Sequence, residues 1–155
     1  MERTVEAVDE FMARFAGDLE AAGVPRLPAR VFVALLAEDD GSLTSADLVE
    51  RLHISPAAVS GAVRYLTQVQ LIRREREPGS RRDRYRVSDD AWYEVMASRE
   101  ALLRRWIRTL AGAEQALGPA TPAGARMRET REFMEFLDGE MPRLLAKWRR
   151  QRARR

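Results

Sequence analysis

Residues 43–66 read LTSADLVERLHISPAAVSGAVRYL, and this stretch decides the fold. Thr44 or Ser45 is placed to cap a helix running to about Leu52, with Asp47 in its first turn, where a negative charge meets the positive end of the helix dipole. Leu48 and Leu52 form the buried edge. His53-Ile54 is too short for more than a tight turn, and Ser55-Pro56 is the pattern of an N-cap followed by the first residue of a new helix. In that second helix Val59, Val63 and Leu66 recur every three to four residues and face inward. Ser55, Pro56, Ala57, Ser60, Gly61 and Arg64 are left at its start and on its outer face.

Downstream, residues 71–76 (LIRRER) and 84–87 (RYRV) flank Pro78-Gly79-Ser80-Arg81-Arg82-Asp83. Turn residues between two short β-rich runs predict a hairpin with a basic tip. A short capped helix, a tight turn, a second helix and a basic hairpin is the order of a winged helix-turn-helix. The physics suits a reader of DNA. A recognition helix needs a low outer profile to approach base edges in the major groove, and a guanidinium fork to engage guanine or phosphate. The predicted contact set is Thr44, Ser55, Pro56, Ala57, Ser60, Gly61 and Arg64 from the helix pair, with Arg81, Arg82 and Arg84 from the wing. An ordinary helical hairpin shares the helix periodicity; the basic hairpin is what separates the two.

Charge segregation supports the same view. The 155 residues carry a net charge of +3, but the blocks differ: −6 over residues 1–54, +5 over 55–88, −3 over 89–142 and +7 over 143–155. Two basic islands in an acidic body suggest a polyanion partner better than the total does. The tail from Arg143 to Arg155 reads either as a solvated helix end complementing its dipole or as a contact to flanking DNA or an acidic patch.

Outward from the centre, the chain is helical. Val5, Val8, Met12, Phe15 and Leu19 form a stripe widened by Phe11, which Gly23, Pro25 and Pro28 are expected to stop. A short helix with Val31, Phe32, Leu35 and Leu36 follows, ending at Glu38-Asp39-Asp40-Gly41. That acidic triplet lacks the alternating ligands of a calcium loop and reads as a solvated turn. Ser88-Asp89-Asp90 caps a long helix to about Leu117, with Trp92, Met96, Leu103, Trp106, Ile107 and Leu110 as its stripe. The last helix starts near Pro122, and Gly139 and Pro142 are expected to kink or interrupt it.

The fold expected is therefore mainly α with a small β-hairpin wing: an N-terminal dimerisation helix (1–27), a winged helix-turn-helix lobe (28–88) and C-terminal dimerisation helices with a basic tail (89–155). A monomer of this size struggles to cover three long apolar stripes, including Trp92, Trp106 and Trp148, while extending two DNA-reading elements. Pairing the first and last two helices with a second copy buries them. Two-fold symmetry then sets the recognition helices about 34 Å apart, one turn of DNA.

Composition excludes other chemistry. There is no cysteine and one histidine, so thiol catalysis, thiolate metal sites, disulfides and multi-histidine metal sites are out. His53 has no pattern of catalytic partners around it. Neither a catalytic site, a metal nor a cofactor is expected. A small enzyme and a winged helix that binds protein rather than DNA are the alternatives. The opening residues form a charged amphipathic stretch, not a leader or membrane span, so a cytoplasmic protein without membrane contact is expected.

The stretch from Leu43 to Ser60, with its continuation through Val63-Arg64-Tyr65-Leu66 and Leu71-Ile72-Arg73-Arg74, resembles the DNA-binding core of MarR-type bacterial repressors. Gly79 to Tyr85, with Asp90-Ala91-Trp92, resembles the GbsR-like branch. The resemblance spans roughly residues 28–110. It implies an obligate homodimer built from the terminal helices, a wing arginine in the minor groove, and a palindromic operator released or retained when an effector binds. Phe11, Phe15, Trp92 and Met96 are candidates to line an effector cavity, although such stripes are also ordinary core. Aromatic rings suit quaternary ammonium ligands, and the GbsR-like resemblance points to choline or betaine; an aromatic effector is the other possibility.

Overall fold

The structure, a computed structural model, describes residues 4–155. Its elements in chain order are α1 (Val5–Ala21), α2 (Arg26–Leu36), β1 (Ser42–Thr44), α3 (Ser45–Leu52), α4 (Pro56–Gln68), β2 (Ile72–Arg76), β3 (Asp83–Val87), α5 (Ala91–Leu117) and α6 (Pro122–Arg152). They divide into two compact units, one ending at Glu94 and the other beginning at Val95.

The first unit is organised around α2. Ala29, Val31, Phe32, Val33, Ala34 and Leu35 are each essentially inaccessible, so this helix is buried nearly all round rather than along the single stripe its periodicity predicts. Leu48 and Leu52 of α3, Val59, Ala62, Val63 and Leu66 of α4, and Leu71, Ile72 and Tyr85 of the sheet are the other buried apolar residues of this unit. The α1 helix packs on α2 through Ala16, with Met12, Phe15 and Leu19 half-buried beside Ala29 and Val33. Pro28 does not end α1; it sits in the first turn of α2, where a missing N–H costs nothing because that turn has no acceptor for it.

The three strands run antiparallel in the order β1-β3-β2. The hairpin of β2 and β3 is the expected wing, in register from Ile72↔Val87 to Arg76↔Asp83. The sequence reading lacks β1. Ser42, Leu43 and Thr44 pair with Arg86, Tyr85 and Arg84 and are all buried, which fixes the wing to the start of α3.

The second unit contains α6 and most of α5, joined by a tight corner. Gly118 has φ of 86°, and the Thr121 hydroxyl caps α6 by accepting from Gly124 N at 3.0 Å. A Cβ on Gly124 would lie 2.1 Å from the Gly118 carbonyl oxygen, so only glycine fits. Buried Glu114 is held by Arg131 at 3.1 Å and Arg128 at 3.7 Å. The expected interruption of α6 at Gly139 or Pro142 does not occur: the helix runs through both. A single proline costs about 3 kcal/mol, and long runs of good helix formers on either side carry the helix across it. Among the described residues no helix is long and apolar enough to cross a membrane.

Candidate nucleic-acid interface

The helix pair is built by local capping. Thr44 N donates to Asp47 Oδ2 at 2.9 Å while Asp47 N donates to Thr44 Oγ1 at 3.2 Å, a reciprocal capping box at the start of α3. The Thr44 hydroxyl also donates to Asp47 at 2.7 Å. These bonds, from the hydroxyl first and the backbone second, hold the Asp47 carboxyl below the usual aspartate range. His53 ends α3 in the left-handed region, at φ 51° and ψ 46°, which turns the chain within two residues. Ser55 Oγ then accepts from Ala58 N at 3.1 Å and Pro56 opens α4.

On α4 the exposed residues are Ser55, Pro56, Ala57, Ser60, Gly61 and Arg64, all from the predicted set. The face continues through Thr67 and Gln68, one turn beyond Arg64, which the sequence reading missed although the same i+3/i+4 spacing reaches them. A Cβ at Gly61 would meet nothing within 4 Å, so the protein's own packing does not require glycine there. Its consequence is a flat surface at mid-helix.

The wing sorts its arginines into two groups. Arg73 is bound to Glu75 at 2.8 Å and to Asp89 at 3.1 Å, and Arg74 pairs with Asp83. Arg84 donates to Ser42 Oγ at 2.9 Å and Glu77 at 3.2 Å, with Asp40 at 3.6 Å. Arg86 donates to Glu75 at 3.0 Å and to the Asp40 carbonyl. The Arg86 and Arg73 guanidiniums keep Glu75 ionised well below the usual glutamate range, and Arg74 does the same for Asp83. Asp40 is also held low, chiefly by the Ser42 hydroxyl and backbone N–H.

Arg64, Arg76, Arg81 and Arg82 make no side-chain hydrogen bond or ion pair among the described residues, and all four are exposed. Gly79, at φ 73°, and the Arg82 N–H bond to Ser80 Oγ at 3.0 Å shape the turn that carries Arg81 and Arg82. Half of the basic island is thus spent inside the wing, and half is available to a polyanion. Arg76 was missed by the sequence reading. Two predicted contacts have other occupations: Thr44 is buried in its capping box, and Arg84 is half-buried in its network.

Of the suggested effector residues, Phe11 stacks on Phe15 with centroids 5.9 Å apart, Phe15 lies 6.4 Å from Trp92, and Trp92 meets Phe32 edge-on at 5.6 Å. Met96 lies in the second unit and is exposed.

Comparison with known proteins gives two family matches. Residues 22–83 match a MarR-family model, and residues 90–151 match a model of MmpR5-like MarR-family transcriptional regulators. A solved structure described as a transcriptional regulator is 25% identical, with 93% of this chain aligned to 99% of that one at a TM-score of 0.77. TrmBL2, an archaeal chromatin protein whose structure is described as having a novel mode of DNA binding, is 16% identical over 68% of this chain and 40% of its own, at a TM-score of 0.56. No curated protein matches the chain.

Proposed function

Because the chain is a MarR-family winged-helix transcriptional regulator, matched by models of that family over residues 22–83 and 90–151, we propose that it binds a palindromic operator as a homodimer and represses transcription. The exposed face of α4 reads bases in the major groove, and the wing tip grips the backbone or minor groove. The observation that carries this reading is the sorting of the arginines: Arg64, Arg76, Arg81 and Arg82 remain without internal partners on the two elements that approach DNA in this fold. Ser55, Pro56, Ala57, Ser60 and Gly61 contribute close approach rather than charge. Thr44 and Arg84 act behind the interface, holding α3 and the wing in place.

A second copy covers the apolar surface that α5 and α6 leave open. Trp106, Phe133, Phe136, Leu144 and Trp148 are all exposed, an arrangement that a lone chain in water does not favour. The exposed rings of Phe11 and Trp92 are the place for an effector with a quaternary ammonium or aromatic group, as the GbsR-like branch would use.

Selection of bound sequences from a random double-stranded DNA library, using the purified protein, tests the function. A two-fold-symmetric consensus with half-sites about one helical turn apart is expected. Enrichment of no sequence at any salt concentration overturns it.

A further inference from the structure

We propose that the cleft between α1, α2 and the end of α3 is a binding site for an aliphatic carboxylate, and that its occupancy is read by the helix-turn-helix. The cleft has a volume of about 390 Å³, within the range of small-molecule sites. Its wall is apolar and without aromatic rings, formed by Met12, Ala13, Ala16 and Gly17 of α1 with Leu52 of α3. Three guanidiniums, Arg26, Arg30 and Arg51, also line it.

Their partners decide what the cleft can take. Arg51 is neutralised by Glu38. Arg30 is half-buried, yet its guanidinium donates only to a neutral acceptor, the Leu52 carbonyl, at 3.0 Å. Among the described residues neither Arg26 nor Arg30 has an ion-pair partner. A guanidinium withdrawn from water without a counter-ion is costly, and a ligand carboxylate offers the planar two-oxygen acceptor that matches it. Arg26 also stands at the first turn of α2, which has neither a side-chain cap nor an acidic residue, so the positive end of that helix adds to the attraction.

Asp9 and Glu20, the acids that line the same cleft, lie eleven positions apart on α1, which puts them about 16 Å apart along the helix. Glu20 lies on the last turns of α1, and Asp9 lies toward its start. Asp9 and Arg51 also line a neighbouring cleft of about 270 Å³ walled by Val5, Val8 and Ala37. That extension gives a short alkyl chain an apolar path away from its carboxylate.

The link to DNA is the Arg30–Leu52 bond. Leu52 is the last residue of α3, and His53 begins the left-handed turn into α4. A carboxylate that draws Arg30 to itself removes the donor from the Leu52 carbonyl and loosens the spacing between the two helices. Occupancy is therefore expected to weaken DNA binding. This coupling rests on the DNA-binding reading above; the binding of the carboxylate does not.

Hexanoate is the probe, with hexanol as its neutral counterpart, read by amide chemical shifts of the full-length protein. Hexanoate should move the Ala13, Gly17 and Arg30 signals saturably, and hexanol should not. Gly17→Leu fills the cleft from a position where a side chain meets nothing within 4 Å, and leucine is the better helix former, so this variant keeps the fold. It should abolish the hexanoate shifts, and Arg26→Gln should weaken them. Equal shifts with hexanol, or hexanoate shifts that survive Gly17→Leu, overturn the site. With a selected DNA site in hand, saturating hexanoate should lower affinity about tenfold for the unmodified chain and not for Gly17→Leu. Binding of hexanoate with unchanged DNA affinity overturns the coupling. A protein that binds hexanoate but no DNA at all instead overturns the DNA-binding reading and leaves the site standing.

Discussion

Arg84 donates through Nη1 to the hydroxyl of Ser42 at 2.9 Å, joining the middle strand of the wing to the strand that leads into α3. Its second nitrogen reaches Glu77, at the other end of the hairpin, at 3.2 Å. The residue thus braces the base of the wing while Arg81 and Arg82 occupy the tip. Arg84→Gln should lower stability by about 1 kcal/mol, a partly exposed network being worth no more, and leave the salt dependence of DNA binding unchanged. Arg81→Ala with Arg82→Ala should do the reverse. Melting temperature stays constant, and the slope of log affinity against log salt falls by roughly 2 if each arginine neutralises one phosphate. Melting curves and a salt titration of each variant separate the two roles. A slope that drops for Arg84→Gln as much as for the tip pair would put Arg84 on the DNA.

Gly61 sits at mid-helix on the exposed face of α4, with empty space where a Cβ would be. An interior helical glycine costs roughly 0.5–1 kcal/mol relative to alanine. Gly61→Ala should therefore raise the melting temperature by a few degrees. If the α4 backbone lies close to the groove floor, the same methyl should weaken binding to a selected site. A variant that is both more stable and equally tight would show that nothing approaches Gly61 and would move the reading surface away from mid-helix.

Arg64 tests direct readout. A guanidinium forked onto guanine carries about 1–3 kcal/mol of discrimination. Arg64→Ala should flatten base preference at one position of each half-site in a repeated selection. A uniform loss across all sequences would make it a phosphate contact instead.

How much of this was legible in the sequence follows from how local each cause is. The caps of α3 and α4 rest on Thr44-to-Asp47 and Ser55-to-Ala58 bonds spanning three residues, and a reader of the chain can see both. The strand β1 is only three residues long, and its partner is Arg84 to Arg86, more than forty positions away; no periodicity announces it. The same distance hides the difference between Arg84 and Arg81. Both look like wing cations until the fold brings Ser42 and Asp40 to one of them. Composition counted the basic island correctly and could not say that Glu75, Asp83 and Asp89 already hold part of it.

The capping box also sets a pH response. Hydrogen bonds from Thr44 hold the Asp47 carboxyl below its ordinary value, so the folded state binds that proton more weakly than the unfolded chain does. The stabilisation is complete above the unfolded value near pH 3.9 and is lost as pH falls through the lower folded value. Asp47→Asn should cost about 1 kcal/mol at neutral pH and flatten the fall of stability with acid. Asp40, Glu75 and Asp83 are depressed as well, so the flattening is partial. Urea unfolding at a series of pH values reads both effects; a curve parallel to that of the unmodified chain would mean the carboxylate charge contributes nothing to the cap.

The apolar face of α6 makes the last prediction. Phe136 and Leu144 are 63% and 62% exposed and line one cleft of this helix together with Leu137 and Met141. Leaving such a patch in water forgoes about 25 cal/mol for each Å² that a partner would cover, and a stable dimer typically covers about 800 Å² per chain. The chain should therefore sediment as a dimer, and Phe136→Glu with Leu144→Glu should convert it to a monomer. Helical content should stay the same, because both positions are already solvated in the single chain. Since a palindrome is held by two recognition helices at once, the monomer should bind a full site no better than a half-site. An unmodified chain that sediments as a monomer at micromolar concentration, or a charge-reversed variant that remains a dimer, would place the subunit contact elsewhere.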